Sequence, residues 1–208
     1  MADSSRILAT RSVSVGETKR AFDVALATLL LALSAPLLLV VAVAIKLDSH
    51  GPVLFTQRRR GLNGEPFFIF KFRTMKVLED GPVVRQATRN DPRVTRLGRI
   101  LRRSSMDELP QLLNVIRGEM SLVGPRPHAL AHDEIYGKIV ENYHVRYGVL
   151  PGITGWAQVN GLRGETRTVE EMSERVRLDV EYIERRCISM DIWILLQTPL
   201  RAFHKMAY

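Results

Sequence analysis

The sequence predicts a mostly helical α+β chain whose N-terminal helix lies in a membrane. Three observations carry that class. The run Val24–Ile45 contains no charged residue and is long enough to cross a hydrocarbon core, which takes about 20 residues. The segment Phe67–Met75 alternates with a period of two, a strand pattern. Most other apolar residues recur at helical spacing between loops rich in Gly and Pro.

The 208 residues have room for one or two domains, and 46% hydrophobic content is ordinary for a folded protein. A net charge of +8, with a pI near 10.1, is not ordinary. It calls for an anionic partner: nucleic acid, an acidic membrane surface or a phosphorylated substrate. The single cysteine, Cys187, cannot close an internal disulfide and offers no thiolate framework for a metal.

Residues 1–18 are read as a flexible tail of short polar side chains ending at Lys19-Arg20. Two details of the apolar run argue against a simple crossing. Pro36, near its middle, removes a backbone hydrogen bond and kinks the helix, with Ser34 in reach of a freed carbonyl. The flanks carry similar charge: Arg6, Arg11, Lys19 and Arg20 before the run, and Lys46, Arg58, Arg59 and Arg60 after it. Positive flanks prefer the cytoplasmic side, and a helix that enters, bends at Pro36 and returns keeps both ends there. A kinked single span, a signal peptide and a buried soluble helix are the alternatives.

Val53–Gln57 reads as a short strand, Asn63-Gly64 as a turn, and Phe67–Met75 as the second strand of a small hairpin. Phe68, Phe70 and Phe72 share one face. Lys71 and Arg73 share the other, where they could hold a phosphate or simply meet solvent. Glu79–Arg93 is loop. Thr95–Arg103 is a short basic helix suited to an anionic surface.

Ser104–Pro127 is the chemical centre. Asp107 and Glu108 are adjacent carboxylates, and Ser105 to Glu108 matches a capping box. Pro110 favours the other register, with Asp107 as the cap, because proline then falls where no N–H is needed. Adjacent carboxylates repel, so one has a raised pKa unless a cation intervenes. Mg²⁺ with oxygen ligands and substrate phosphates is the natural cation, and an Asp can also attack phosphorus. Arg126, between Pro125 and Pro127, offers a fork that matches phosphate oxygens. A helix carrying both His128 and His132 would put them on one face, but Ala129 stands where a zinc HExxH motif needs Glu. Gly148–Gly164 is a glycine-rich irregular loop. There Trp156 could stack a base or sugar, or anchor packing, and Gln158 and Asn160 could hydrogen-bond a ligand. Thr168 to Glu171 is a second capping box, opening a helix to about Arg186 with Met172, Val176, Val180 and Ile183 inward. Ser189–Lys205 suits a helix lying in a membrane interface.

On these residues the chain resembles the bacterial sugar transferases, monotopic polyprenyl-phosphate phosphoglycosyl transferases. The likeness runs from Lys19 to about Lys205 through KRAFD, FIFKFRTM, MDELPQLLNVIRGEMSLVGPRP and PGITGWAQVNG. It implies a re-entrant membrane helix in residues 19–48 broken at a Ser-Pro pair, interrupted here as Ser34-Ala35-Pro36. It implies amphipathic interfacial helices around a compact catalytic domain, residues 49–208, on the cytoplasmic face of the bacterial inner membrane. By the same resemblance Asp107 is the nucleophile, near a Mg²⁺ that it holds. It takes a phosphosugar from a UDP-sugar, releases UMP and passes the phosphosugar to undecaprenyl phosphate. Glu108 assists, and Lys71, Arg102 and Arg126 neutralise phosphates. PHALAHDE and GLRGETRTVEEM are similar to the glucose-1-phosphate branch that starts exopolysaccharide, which favours UDP-glucose, with UDP-galactose next. Larger members carry extra N-terminal membrane helices, so this chain reads as the catalytic unit alone; a homodimer is left open. The competing classes are a membrane-anchored nucleic-acid-binding protein and a membrane scaffold. The first explains neither the apolar run nor the acid pair, and in the second UDP-sugar would neither bind nor turn over.

Overall fold

A computed structural model describes the backbone of residues 2–76, 88, 91–164, 166 and 168–202, with side chains between Gly16 and Arg201. Most of the loop expected at Glu79–Arg93, and the last residues of the final expected helix, lie outside it.

Helix α1 runs from Ala2 to Asp48. The backbone read as a separate tail is therefore helical and continuous with the apolar run, and the helix continues through Pro36. The Ser34 hydroxyl donates to the carbonyls of Leu30, at 2.7 Å, and Leu31, at 3.3 Å. The carbonyl that Pro36 leaves without its usual partner belongs to Ala32, so Ser34 does not fill that gap. It bonds back into its own turn, an arrangement that bends helices.

One stripe of α1 faces protein: Asp23, Ala27, Val41 and Ile45 are buried, and Leu31 and Leu38 pack against the two apolar clusters at either end. Leu29, Leu30, Leu33, Leu37, Leu39, Val40, Val43 and Leu47 face outward. Polar contacts fasten both ends. Lys19 donates to Asp191 at 2.6 Å and Arg20 to the carbonyl of Val115 at 2.7 Å, while Asp23 accepts from Ser121 at 2.7 Å. At the other end Arg73 donates to the carbonyls of Ile45, Ser49 and His50.

Strands β1 (Leu54–Arg60) and β2 (Pro66–Phe72) form the expected antiparallel hairpin, with Leu54 opposite Phe72 and Arg60 opposite Pro66. Asn63, at φ 56°, makes the turn. The period of two is present, but the faces are used differently from expectation. Phe67 and Ile69, on the same face as Lys71, enter the main core with Leu112, Val115, Met120, Tyr182 and Ile194. The basic face is thus the inner one. On the other face exposure falls from 51% at Phe68 to 4% at Phe72.

Helix α2 (Arg96–Ser104) starts on Thr95, whose hydroxyl accepts from Gly98 N at 2.9 Å. Helix α3 (Gln111–Arg117) leads into β3 (Ser121–Val123), which pairs in parallel with β4 (Gly152–Thr154). The Gly-rich loop therefore contains a strand the sequence reading missed. Its glycines permit the approach: a Cβ on Gly152 would lie 2.1 Å from Gly124 N. Helix α4 covers Leu130–Ile139 and α5 covers Trp156–Val159. Helix α6 (Val169–Arg185) is capped by Thr168 as expected, and α7 covers Ile188–Ala202.

Candidate active site

Asp107 and Glu108 lie in one 3-10 turn, Met106–Glu108, between α2 and α3. Ser105 reverses the chain in a left-handed conformation, φ 58°. Neither expected cap forms. The Ser105 hydroxyl accepts instead from Arg163, and α3 begins only after Pro110, which occupies the N-cap position where its missing N–H costs nothing. Among the described residues no hydrogen bond reaches the Asp107 carboxylate.

Glu108 is the opposite case. Its Oε1 accepts from Lys71 at 2.7 Å and from Arg126 at 2.5 Å, and its Oε2 accepts from Arg126 at 3.1 Å. Burial alone would raise its pKa. Arg126 and Lys71 outweigh that and hold the carboxyl well below its usual range. At Asp107, burial and then the Glu108 charge push the pKa up to about 6, against Lys71, Arg102 and Arg126. The repulsion expected of the pair is resolved as one clamped anion and one unclamped carboxyl.

The fold brings Lys71, Arg102 and Arg126 to the pair. Arg102 is steadied by Thr74, its Nε donating to Oγ1 at 3.1 Å. Arg163 joins them: both acids act on its charge. Sequence reasoning missed it because a lone arginine in a glycine-rich loop carries no periodic signal.

Four other candidates belong elsewhere. Arg73 shares its face with Lys71, yet its guanidinium is spent on the carbonyls that end α1, a structural duty. Trp156 meets Trp193 at a tilt, with ring centres 5.6 Å apart and planes 55° apart, and packs against the main core. Gln158 Nε2 donates to the carbonyl of Ile153 and Asn160 Nδ2 to that of Trp156. These three side chains hold α5 in place. His128 precedes α4 and His132 lies on it, so they do not share a helix face. Burial, then the Arg146 charge, keeps His128 neutral, its pKa well below the usual value.

Among the described residues no three His, Cys, Asp or Glu side chains cluster as a metal site. The unclamped Asp107 carboxylate nonetheless fits a Mg²⁺ that takes its remaining ligands from substrate phosphates and water.

The sequence model of the family described as bacterial sugar transferase matches residues 15–205. The chain is 55% identical over 191 residues to an Escherichia coli K12 protein named UDP-glucose:undecaprenyl-phosphate glucose-1-phosphate transferase, a match covering 91% of this chain and 41% of that protein. It is 59% identical over 186 residues to a Caulobacter vibrioides protein of the same name, covering 89% and 70%. It is 48% identical over 184 residues to a Rhizobium leguminosarum protein named exopolysaccharide production protein PSS, covering 86% and 92%. The chain thus spans less than half the length of the Escherichia coli relative.

Proposed function

The chain belongs to the bacterial sugar transferase family, and on that premise we propose that it transfers glucose 1-phosphate from UDP-glucose to undecaprenyl phosphate. UMP leaves, and the product is undecaprenyl-diphosphate glucose, the first lipid-linked intermediate of an exopolysaccharide. UDP-galactose ranks next as donor. The names of the Escherichia coli and Caulobacter relatives support donor and acceptor, and that of the Rhizobium relative supports the pathway.

The observation that carries the mechanism is the unclamped Asp107 carboxylate beside a Glu108 already gripped by Lys71 and Arg126. An Asp107 oxygen attacks the phosphorus that bears the glucose. The bond from that phosphorus to the bridging oxygen breaks, and UMP departs with the electron pair. A phosphate oxygen of undecaprenyl phosphate then attacks the same phosphorus and returns Asp107 as carboxylate. Four cations, Lys71, Arg102, Arg126 and Arg163, face two carboxylates. Four minus two leaves two positive charges to meet the diphosphate and the charge that develops on it. A Mg²⁺ held by Asp107 would supply further neutralisation.

On this reading the chain works at the cytoplasmic face of the bacterial inner membrane. The outward leucines of α1 would enter lipid from that side and return to it, with Ile192, Trp193, Leu196 and Leu200 of α7 at the interface.

The test is UMP release by the purified full chain with undecaprenyl phosphate, Mg²⁺ and a panel of UDP-sugars. UDP-glucose should turn over fastest, and folded Asp107→Asn should release no UMP. Full activity in Asp107→Asn removes Asp107 as nucleophile.

A further inference from the structure

The two prolines of Pro125-Arg126-Pro127 have no N–H, so the triplet can be fastened chiefly through its carbonyls. All three are taken. Gly152 N donates to Pro125 O at 2.9 Å, Arg146 donates to Arg126 O, and Arg59 donates to Pro127 O at 3.3 Å. The middle contact is the most heavily built. Arg146 Nε donates to Asp179 Oδ2 at 2.8 Å, with both side chains 3% exposed. Its second terminal nitrogen lies 3.2 Å from His128 Nδ1, and the guanidinium lies 4.9 Å from the Tyr143 ring centre. Each nitrogen of that fork has its own neighbour, so it has one orientation. On the far side of the same main chain, Arg126 forks onto Glu108.

We propose that Arg146, held by Asp179, is a positioning residue: it fixes the main chain of Arg126 so that the Arg126 guanidinium grips Glu108 in register. The proposal rests on the reading that Arg126 serves phosphoglycosyl transfer. A buried ion pair is often no better for stability than apolar side chains of the same volume, so stability alone does not explain Arg146 and Asp179. A two-point guanidinium–carboxylate contact, by contrast, needs placement to a fraction of an ångström. Proline stiffens both flanks, so a fixed carbonyl fixes the Cα from which the Arg126 side chain leaves.

The test is a double-mutant cycle on the full chain, reading UMP release. Arg146→Met/Asp179→Asn removes both charges together and leaves neither buried alone. It is made in the wild-type and in the Arg126→Ala backgrounds, with thermal midpoints recorded for each. The expected result is a fall in kcat/KM of roughly 10- to 100-fold in the wild-type background. Less than about threefold further loss is expected once Arg126 is gone, because coupled residues are not additive. Equal losses in both backgrounds, or no loss in either, overturn the proposal. Arg146→Lys is the second variant: it gathers its donors on one nitrogen, where the guanidinium spreads them over three nitrogens that each meet a different neighbour, so a similar fall is expected and full activity overturns it. Wild-type protein that releases no UMP from any UDP-sugar overturns the transferase reading itself, whereas turnover with equal losses overturns this inference alone.

Discussion

Asp107 and Glu108 are consecutive residues in one turn, yet their carboxylates are in opposite situations. Glu108 accepts three hydrogen bonds from Lys71 and Arg126, and none reaches Asp107 among the described residues. A nucleophile must keep its lone pairs available, and a neighbour that absorbs the nearest cations leaves it so. Burial, and after it the charge of Glu108, raises the pKa of Asp107.

The first prediction is the acid limb of the pH profile. Asp107, with its pKa pushed up to about 6 by burial and by Glu108, is ionised above that pH and neutral below it. The kcat/KM for UMP release should therefore fall with a midpoint near pH 6, well above an ordinary aspartate. Arg126→Ala removes an opposing cation and should move the midpoint higher. A Mg²⁺ held by Asp107 pulls the midpoint back down, so the limb should shift lower as Mg²⁺ is raised, and a midpoint that neither Mg²⁺ nor Arg126→Ala moves would contradict the assignment.

Asp107→Asn should lose activity and gain stability. The folded-state pKa lies above the ordinary aspartate value of 3.8, so the ionised form costs stability at neutral pH, and that cost is relieved as pH falls through about 6. The neutral amide should stabilise the protein at pH 7.5 by on the order of 1–3 kcal/mol. The gain should shrink toward zero below pH 4, where the wild-type acid is protonated in both states. Denaturation midpoints at the two pH values check it, and a lower midpoint for Asp107→Asn at pH 7.5 would oppose it.

Much of this was legible in the sequence because it was local. The charge-free run, the hairpin, the short helix after Thr95, the cap at Thr168 and the acid pair each follow from neighbours a few residues apart. What escaped depended on distant partners. Period-two alternation put Lys71 and Arg73 on one face but could not say which face was inside, nor that Arg73 would meet the end of α1. Strands β3 and β4 are too short to show alternation. Their pairing rests on glycine backbones lying almost in contact. Ser105 lost its cap role to Arg163, a residue 58 positions away.

Arg73 supplies the third prediction. Its guanidinium donates to three carbonyls at the end of α1, including that of Ser49 at 2.6 Å. Loss of several charge-assisted bonds at a buried site should cost about 2–4 kcal/mol. Arg73→Met should lower the thermal midpoint while leaving KM for the UDP-sugar nearly unchanged. Gly51→Ala should do likewise, because its Cβ would fall 2.0 Å from Arg73 Nη1 and its φ is 124°. A large rise in KM with unchanged stability would return Arg73 to the substrate site.

The last prediction concerns the path of α1. Lys19 and Arg20 are tied to Asp191 and to the end of α3, while Ile45 and His50 are tied to Arg73 just beyond β2. Helix α3 and strand β2 are themselves joined, since Asn114 accepts from Phe70 N at 3.0 Å and donates to Phe68 O at 2.7 Å. A straight crossing from Lys19 to Lys46 would separate the two ends by roughly 40 Å at 1.5 Å per residue, about a whole bilayer with its headgroups. One small domain cannot hold both ends from opposite sides. Glu17→Cys and Asp48→Cys, each made with Cys187→Ser, should therefore react with an impermeant maleimide from the same side of oriented vesicles. Labelling from opposite sides would establish a true span and detach one of the two anchors from the domain.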